Sequence, residues 1–245
     1  MPANRYFTHQ DLEKDPFIQL ETDEALHLKT VMRNVEGDMV ELINGKGLLA
    51  HARVTEISKK AVYLKIEYVE RFIKPFELEI GIGILVQERL DLILEKGCEL
   101  GATKIFLIRT QSVGKSGFTD GQMERMQRVL IAALKQSGRV WLPSIDLVPS
   151  LNEFVSTEKN IYFGDINSNS PALLEVFDIS TPFRLLVGPA KGFTKEELDL
   201  LKNKKNIKGV YLSDAILRAE TAAVLMIGLV NHAFLLKQPH SKGRG

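Results

Sequence analysis

"RFIKPFELEIGIGIL", residues 71–85, is where the chain changes its grammar. Before it, short segments alternate apolar and polar side chains. "DMVELIN" (38–44), "LLAHARVTEI" (48–57) and "AVYLKIEYVE" (61–70) have the period of half-buried strands, separated by the turn residues "NGKG" (44–47) and the polar break Ser58-Lys59-Lys60. Three such strands with tight connections predict a small barrel. "TDEALHLKTVM" (22–32), with Thr22 as a candidate N-cap, predicts a helix ahead of them. After Pro75, apolar strands alternate with helical patterns. "ELEIGIGIL", "KIFLIRT", "NIYFGD", "FRLLVG" and "KGVYLS" read as strands. "ERLDLILEKGCELG", "QMERMQRVLIAALKQSG", "TKEELDLLKN" and "ILRAETAAVLMIGLVNHAFLL" read as helices. That alternation predicts an α/β domain with a mostly parallel sheet. The division expected is a β domain over 1–74 and an α/β domain over 75–245.

Size and composition fit this reading. The 245 residues suffice for one large or two small domains, with 44% hydrophobic and 26% charged residues. The formal net charge of +1 neither demands nor excludes a nucleic-acid partner. One cysteine, Cys98, permits no internal disulfide, and a reducing cytoplasm is the natural compartment. The N-terminus is too polar for a secretory signal. The longest apolar stretch, Ala222–Val230, is short of the roughly 20 residues that span a bilayer, so no membrane is expected.

Ligands of parallel sheets sit beyond the carboxyl ends of the strands. Two strand ends are unusual. "LLVGPAKGFTKEEL" (185–198) is a strand, a glycine-rich turn and a helix start. "VYLSDAILRAETAA" (210–223) places Arg218 and Glu220 just before a helix that is apolar nearly all round and must be buried. The arginine and glutamate read equally as a structural ion pair or as a site. In the helix 122–138, Arg125, Arg128, Lys135 and Arg139 fall within a stripe roughly 80° wide. They read either as a solvated face or as a phosphate-facing stripe. Gly81 and Gly83 lack the third glycine of a dinucleotide fingerprint and read as close backbone packing. Five scattered histidines and one cysteine give no metal-ligand spacing, so no metal is expected.

In this order the segments resemble the RsmE family of 16S ribosomal RNA uridine N3-methyltransferases. "RYF" (5–7), "HLKTVMR" (27–33) and "GDMVELINGKG" (37–47) are similar to its N-terminal blocks. "EKGCELGATKIFLI" (95–108), "ALKQSGR" (133–139) with Pro143, "LLVGPAKGFTKEE" (185–197) and "LSDAILRAETAA" (212–223) are similar to its C-terminal ones. The chain departs from the family's Gly-Pro-Glu-Gly-Gly turn, having Gly188-Pro189-Ala190-Lys191-Gly192. Ser213 and Ala215 replace a glycine and an arginine, and Gln87 or Glu88 stands near the place of a family lysine.

The resemblance implies a PUA-like RNA-binding β-barrel followed by a trefoil-knotted SPOUT α/β domain, acting as a homodimer in the cytoplasm. It implies S-adenosylmethionine as cofactor and 16S rRNA, or the small ribosomal subunit, as partner. The cofactor would be held by Leu186, Val187, Gly188, Pro189, Gly192, Leu212, Ser213, Ile216 and Leu217, largely through main-chain groups. Arg218 would orient the uracil or stabilise its developing negative charge, with Glu220 positioning Arg218. Arg5, Arg33, Arg125, Arg128 and Arg139 would contact RNA. No residue is an obvious general base. The altered turn leaves a second reading, an RNA-binding dimer of the same fold that has lost its cofactor. A third is an unrelated nucleotide-binding α/β enzyme. Lys191 tolerates the place of a family glycine only if its φ is negative.

Overall fold

The computed structural model describes residues 4–59, 61–111 and 118–237. The chain divides into two compact units, residues 1–75 with 130–142, and residues 76–129 with 143–245.

The first unit is built on a five-stranded sheet. Its strands are β1 (Arg5–Phe7), β2 (Phe17–Gln19), β3 (Met39–Ile43), β4 (Leu48–Ile57) and β5 (Val62–Arg71), ordered β1-β3-β4-β5-β2. The three long strands are the ones with period-2 sequences, and they pair antiparallel in register Leu42 to Ala50 and Val54 to Leu64. Their alternation puts Val40, Leu42, Leu48, Ala50, Val54, Val62 and Leu64 into one core with Tyr6, Leu12, Ile18 and Leu28. The expected helix begins as α1 (Thr22–Leu26) but continues as a π-helical turn, His27–Met32, that ends on Arg33 in the left-handed region, φ 56°. Tyr6 is fully buried and donates to Asn34 Oδ1 at 2.7 Å. Burial first, then the Glu24 and Asp38 carboxylates, push its phenol pKa upward.

The turn at 44–47 does more than reverse the chain. Leu142 N–H donates to Gly45 O at 2.9 Å and Gly47 N–H to Val140 O at 2.8 Å. A Cβ on Gly47 would stand 2.3 Å from the Trp141 ring, so glycine is what lets the indole lie there.

The second unit is a six-stranded, all-parallel sheet. Its strands are β6 (Glu79–Gly83), β7 (Lys104–Ile108), β8 (Ser144–Val148), β9 (Asn160–Gly164), β10 (Phe183–Val187) and β11 (Ile207–Val210), in the order β11-β9-β10-β6-β7-β8. The helices along this part of the chain are α2 (Gln87–Leu100), α3 (Asp120–Ser137, of which 120–129 belong to this unit and 130–137 to the first), α4 (Leu151–Phe154), α5 (Leu173–Val176), α6 (Lys195–Lys202) and α7 (Ala219–Lys237). β6 is buried at all five positions, the signature of a strand covered on both faces. Phe106, Ile108, Phe163 and Leu186 pack with Leu151 and Phe154 of α4 and Leu201 of α6. On the opposite face, Ile105 lies near Gly97 of α2, which in turn adjoins Ile227 of α7.

The glycines of "GIG" act through contact. A Cβ on Gly81 would come within 2.5 Å of the Phe154 ring, and one on Gly83 within 2.5 Å of the Pro189 backbone nitrogen. The carboxyl end of β6 can therefore touch the turn that follows β10, as close packing requires.

At the amino ends of the same strands sits a buried ionic cluster with no counterpart in the sequence reading. Arg184 donates to Glu79 at 2.8 Å and to the Phe154 carbonyl at 3.1 Å, and its guanidinium lies 4.7 Å from the Phe106 ring centre. Lys159 bridges Glu79 at 3.0 Å and Glu77 at 3.1 Å. Burial alone would lower the Lys159 pKa, but hydrogen bonds to Glu79 and Glu77 outweigh it and the pKa is raised.

α7 differs from the helix expected at 216–236. It starts at Ala219, so Ile216, Leu217 and Arg218 belong to the non-helical segment before it. By length and composition it could cross a membrane, but it packs on α2, α5, β6 and β10 within the unit, where Ala222, Ala223, Met226, Ile227 and Val230 are buried.

Candidate functional site

The two strand ends singled out in the sequence meet. A cavity of about 520 Å³ opens beyond the carboxyl ends of β9, β10 and β11. One wall is the turn Val187–Phe193 and another is the segment Tyr211–Ala219; Gly164, Asp165 and Ile166 after β9 add a third. Such a volume suits a ligand of cofactor size.

The turn is set by local chemistry. Gly192 N–H donates to Pro189 O at 2.8 Å, and Gly192 takes φ 77°, a region glycine enters without strain. Lys191 does not have positive φ and is exposed, so the lysine in place of glycine leaves this backbone unstrained. Thr194 then caps α6, accepting from Glu197 N–H at 3.2 Å, while Glu197 accepts from Thr194 N–H at 2.9 Å. The second oxygen of the buried Glu197 accepts from Gln111 N–H at 2.9 Å, which ties the loop after β7 to the same turn. Across the cavity, Tyr211 N–H donates to Pro171 O at 2.9 Å, and Ala215 N–H donates to the Ser213 hydroxyl at 3.2 Å. Those bonds hold 211–218 as an ordered rim.

Of the residues expected to hold cofactor, Val187, Gly188, Pro189, Gly192, Leu212, Ser213, Ile216 and Leu217 all line this cavity. Leu186 does not; it is fully buried in the core beside Phe163. Arg218 lines the cavity and is exposed. Glu220 is buried, and its ion-pair partner is Arg89 of α2 at 3.6 Å, where the sequence reading set it beside Arg218. Its Oε2 is shielded from solvent and accepts no hydrogen bond. Arg89 itself lines the cavity and was missed. The available signal was positional, because it stands at the third residue of the helix that leaves the buried strand β6. Three cations, Arg89, Lys191 and Arg218, thus share the walls with two carboxylates, Asp165 and Asp214.

The arginines expected on an RNA face behave differently from one another. Arg5 is 8% exposed in its side chain and pairs with Glu41 at 2.6 Å, which turns its guanidinium toward a carboxylate. Arg125 donates to Asp91 at 2.7 Å and 2.9 Å. Lys135 pairs with Glu24 at 2.5 Å, so the predicted stripe is divided among local carboxylates. Arg139 is half-buried. Arg33 and Arg128 are exposed, the latter 3.9 Å from Glu124.

A model of the RNA methyltransferase domain matches residues 73–231, and one of the RNA methyltransferase PUA domain matches residues 20–67. The chain belongs to the RNA methyltransferase family. The cavity lies within the part that the family's main domain covers. Ribosomal RNA small subunit methyltransferase E of Rickettsia conorii is 29% identical over 94% of this chain and 96% of its own length. The enzyme of the same name from Bacillus subtilis is 27% identical over 93% of this chain and 96% of its own. Among solved structures, that of ribosomal RNA small subunit methyltransferase E from Neisseria gonorrhoeae bound to S-adenosyl methionine superposes with a TM-score of 0.83. Its identity is 24%, and the match covers 94% of this chain and 97% of that one. The likeness in fold therefore extends through both units.

Proposed function

We propose that the protein methylates N3 of a uridine in 16S ribosomal RNA, using S-adenosylmethionine bound in the cavity at 187–193 and 211–219. The observation that carries this is the convergence of two separate strand ends on one cavity, in a chain whose family transfers methyl groups to RNA. The relatives that match nearly end to end carry the name of the small-subunit enzyme.

The cavity suits the cofactor. Val187, Phe193, Leu198, Leu212 and Leu217 offer apolar walls to an adenine, and the turn residues present main chain at the rim. S-adenosylmethionine supplies a methyl group on a sulfonium, already a good leaving group. The chain's residues must place the acceptor nitrogen in line and accommodate the loss of its proton. N3 lies on the pairing edge of the base, so the uridine enters unpaired or turned out. Arg218, exposed at the cavity wall, donates to a uracil carbonyl and opposes the negative charge that grows there. Arginine does not take up the proton, since its guanidinium stays charged. Arg33, for which no carboxylate partner is found among the described residues, and Arg128, whose nearest carboxylate is 3.9 Å away, are both exposed and would meet phosphates. Arg5 and Arg125 hold their own units together through Glu41 and Asp91.

The altered turn favours the active reading over a dimer without cofactor. Lys191 is exposed and unstrained, and the main-chain path that would grip the cofactor does not depend on the missing glycine. We also place the protein in the cytoplasm as a two-fold dimer. Support for the dimer comes from α7, which is apolar along most of its length and leaves Leu235 and Leu236 exposed.

The test is modification mapping. Small-subunit RNA incubated with the protein and S-adenosylmethionine should gain one N3-methyluridine, read by mass spectrometry of nuclease digests. Cofactor binding by calorimetry with no methyl transfer to RNA would leave the fold and remove the substrate. Absence of cofactor binding alongside retained RNA affinity would establish the cofactor-free reading. Light scattering at the same concentrations should give twice the chain mass.

A further inference from the structure

We infer that Arg89 is a second substrate-facing cation of the cavity, which binds the acceptor uracil as its N3 anion, and that Glu220 is the residue that positions it. This rests on the uridine N3 reading above and gives that reading its missing acid–base element.

Two independent observations place Arg89. It lines the cavity opened by the two strand-end segments, as do Arg218 and Ala222. Behind it stands Glu220, buried and held in the first turn of α7. The pair is loose for a buried one. At 3.6 Å the guanidinium is beyond hydrogen-bond range of Glu220 Oε1, and Glu220 Oε2 has no partner at all. A carboxylate so placed sets the direction of the guanidinium without saturating its five donors. The remaining donors are available to the cavity. Arginine's planar fork suits the edge of a uracil, where a carbonyl oxygen flanks N3 on either side.

The charges around Arg89 come from several elements. On α2 these are Glu88 and Asp91, and Asp91 is occupied by Gln87 at 2.8 Å and Arg125 of α3 at 2.7 Å. Glu220 comes from α7 and Arg218 from the segment before it. Lys191 comes from the turn after β10, Asp165 from the loop after β9, and Asp214 from the rim at 211–218. Among them, Arg89 is the cation with a buried carboxylate behind it, at 3.6 Å and so without a hydrogen bond to it, which orients the guanidinium and leaves its donors for an anion.

The chemistry needs such a group. The N3–H bond breaks and the proton passes to solvent hydroxide, while its electron pair stays on N3 and spreads onto both carbonyl oxygens. That pair then forms the N–CH3 bond as the S–CH3 bond breaks with its electrons left on sulfur. A guanidinium touching a carbonyl oxygen lowers the pKa of the bound imide and raises the fraction of reactive anion at a given pH.

The experiment is a pH–rate profile of single-turnover methylation of small-subunit RNA by the full-length protein. Rates should rise with pH to a plateau in the wild type. Arg89→Ala should move the rising limb to higher pH by about one unit, an effect at the low end for a nearby opposite charge. Its plateau should approach that of the wild type, and its calorimetric affinity for S-adenosylmethionine should be unchanged. Arg89→Lys should recover part of the shift. Glu220→Gln should give a smaller shift with a lower plateau rate and an unaltered KM for cofactor. An Arg89→Ala profile lowered at every pH with an unmoved limb would overturn the inference, as would lost cofactor binding in that variant. Wild-type protein that forms no N3-methyluridine would instead refute the underlying reading.

Discussion

The two ends of the parallel sheet each hold a buried glutamate beside an arginine, and they are finished differently. At the amino ends, Glu79 binds Arg184 at 2.8 Å and Lys159 at 3.0 Å, and aromatic rings close over the guanidinium. Beyond the carboxyl ends, Glu220 stands 3.6 Å from Arg89 with one oxygen unbonded, next to a cavity. The first arrangement has satisfied its charges internally and has nothing left for a ligand. The second is incomplete as it stands. The contrast separates an ion pair that holds the fold from one that awaits a substrate, although both are a glutamate and an arginine distant in sequence.

Stability measurements break this contrast most directly. Glu79→Ala leaves Arg184 and Lys159 with no carboxylate between them inside the sheet. It should cost about 3–5 kcal/mol in guanidinium denaturation, the range for removing one partner of a buried pair. Glu220→Gln removes a carboxylate that is poorly compensated, so it should leave stability unchanged or raise it slightly. Equal losses in the two variants would show that the two ends are not different in kind.

The next effect concerns the contact that joins β6 to the cavity wall. Gly83→Ala would place a methyl 2.5 Å from Pro189 N and 2.7 Å from its Cδ. Backbone rather than a flexible side chain must move, so a loss of about 1–3 kcal/mol is expected. The displaced turn should also weaken S-adenosylmethionine binding in calorimetry. Full affinity in a destabilised Gly83→Ala protein would mean that the turn can shift without disturbing the site.

The two sheet ends were also unequally legible in the sequence. The carboxyl ends were readable because "LLVGPAKGF" and "LSDAILRAE" are turn and rim segments whose composition departs from the neighbouring strands. Every cofactor residue named from them lines the cavity except Leu186, whose apolar side chain the strand turns into the core. The amino-end cluster left no trace, since Glu79, Lys159 and Arg184 lie far apart and each looks like an ordinary strand-edge charge. Glu220 was named but set beside Arg218; Arg89, and its pairing with Glu220, were hidden for the same reason. The cationic stripe on α3 was a periodicity without its partners, because Asp91 and Glu24, which occupy Arg125 and Lys135, come from other segments. The long strands β3–β5 followed period 2 and were visible. β8 is a five-residue edge strand closed in by Pro143 and Pro149, too short for a clear period, and was not.

The smallest effect tests whether Lys191 belongs to the cofactor or to the RNA. Its ammonium is exposed at the cavity mouth, where solvent and salt screen it. If it faces the sulfonium, Lys191→Ala should tighten S-adenosylmethionine binding, by no more than about fivefold given an interaction of about 1 kcal/mol in water. That gain should vanish as salt is raised. If it faces a phosphate of the bound RNA, cofactor affinity stays put and RNA affinity falls. The slope of log affinity against log salt should then become shallower by about one ion. We expect the second outcome, because a lysine on an exposed turn extends into solvent, where the polyanion arrives, more readily than it folds back over a cation. Calorimetry with cofactor at two salt concentrations and an RNA-binding salt titration on the same variant decide between them.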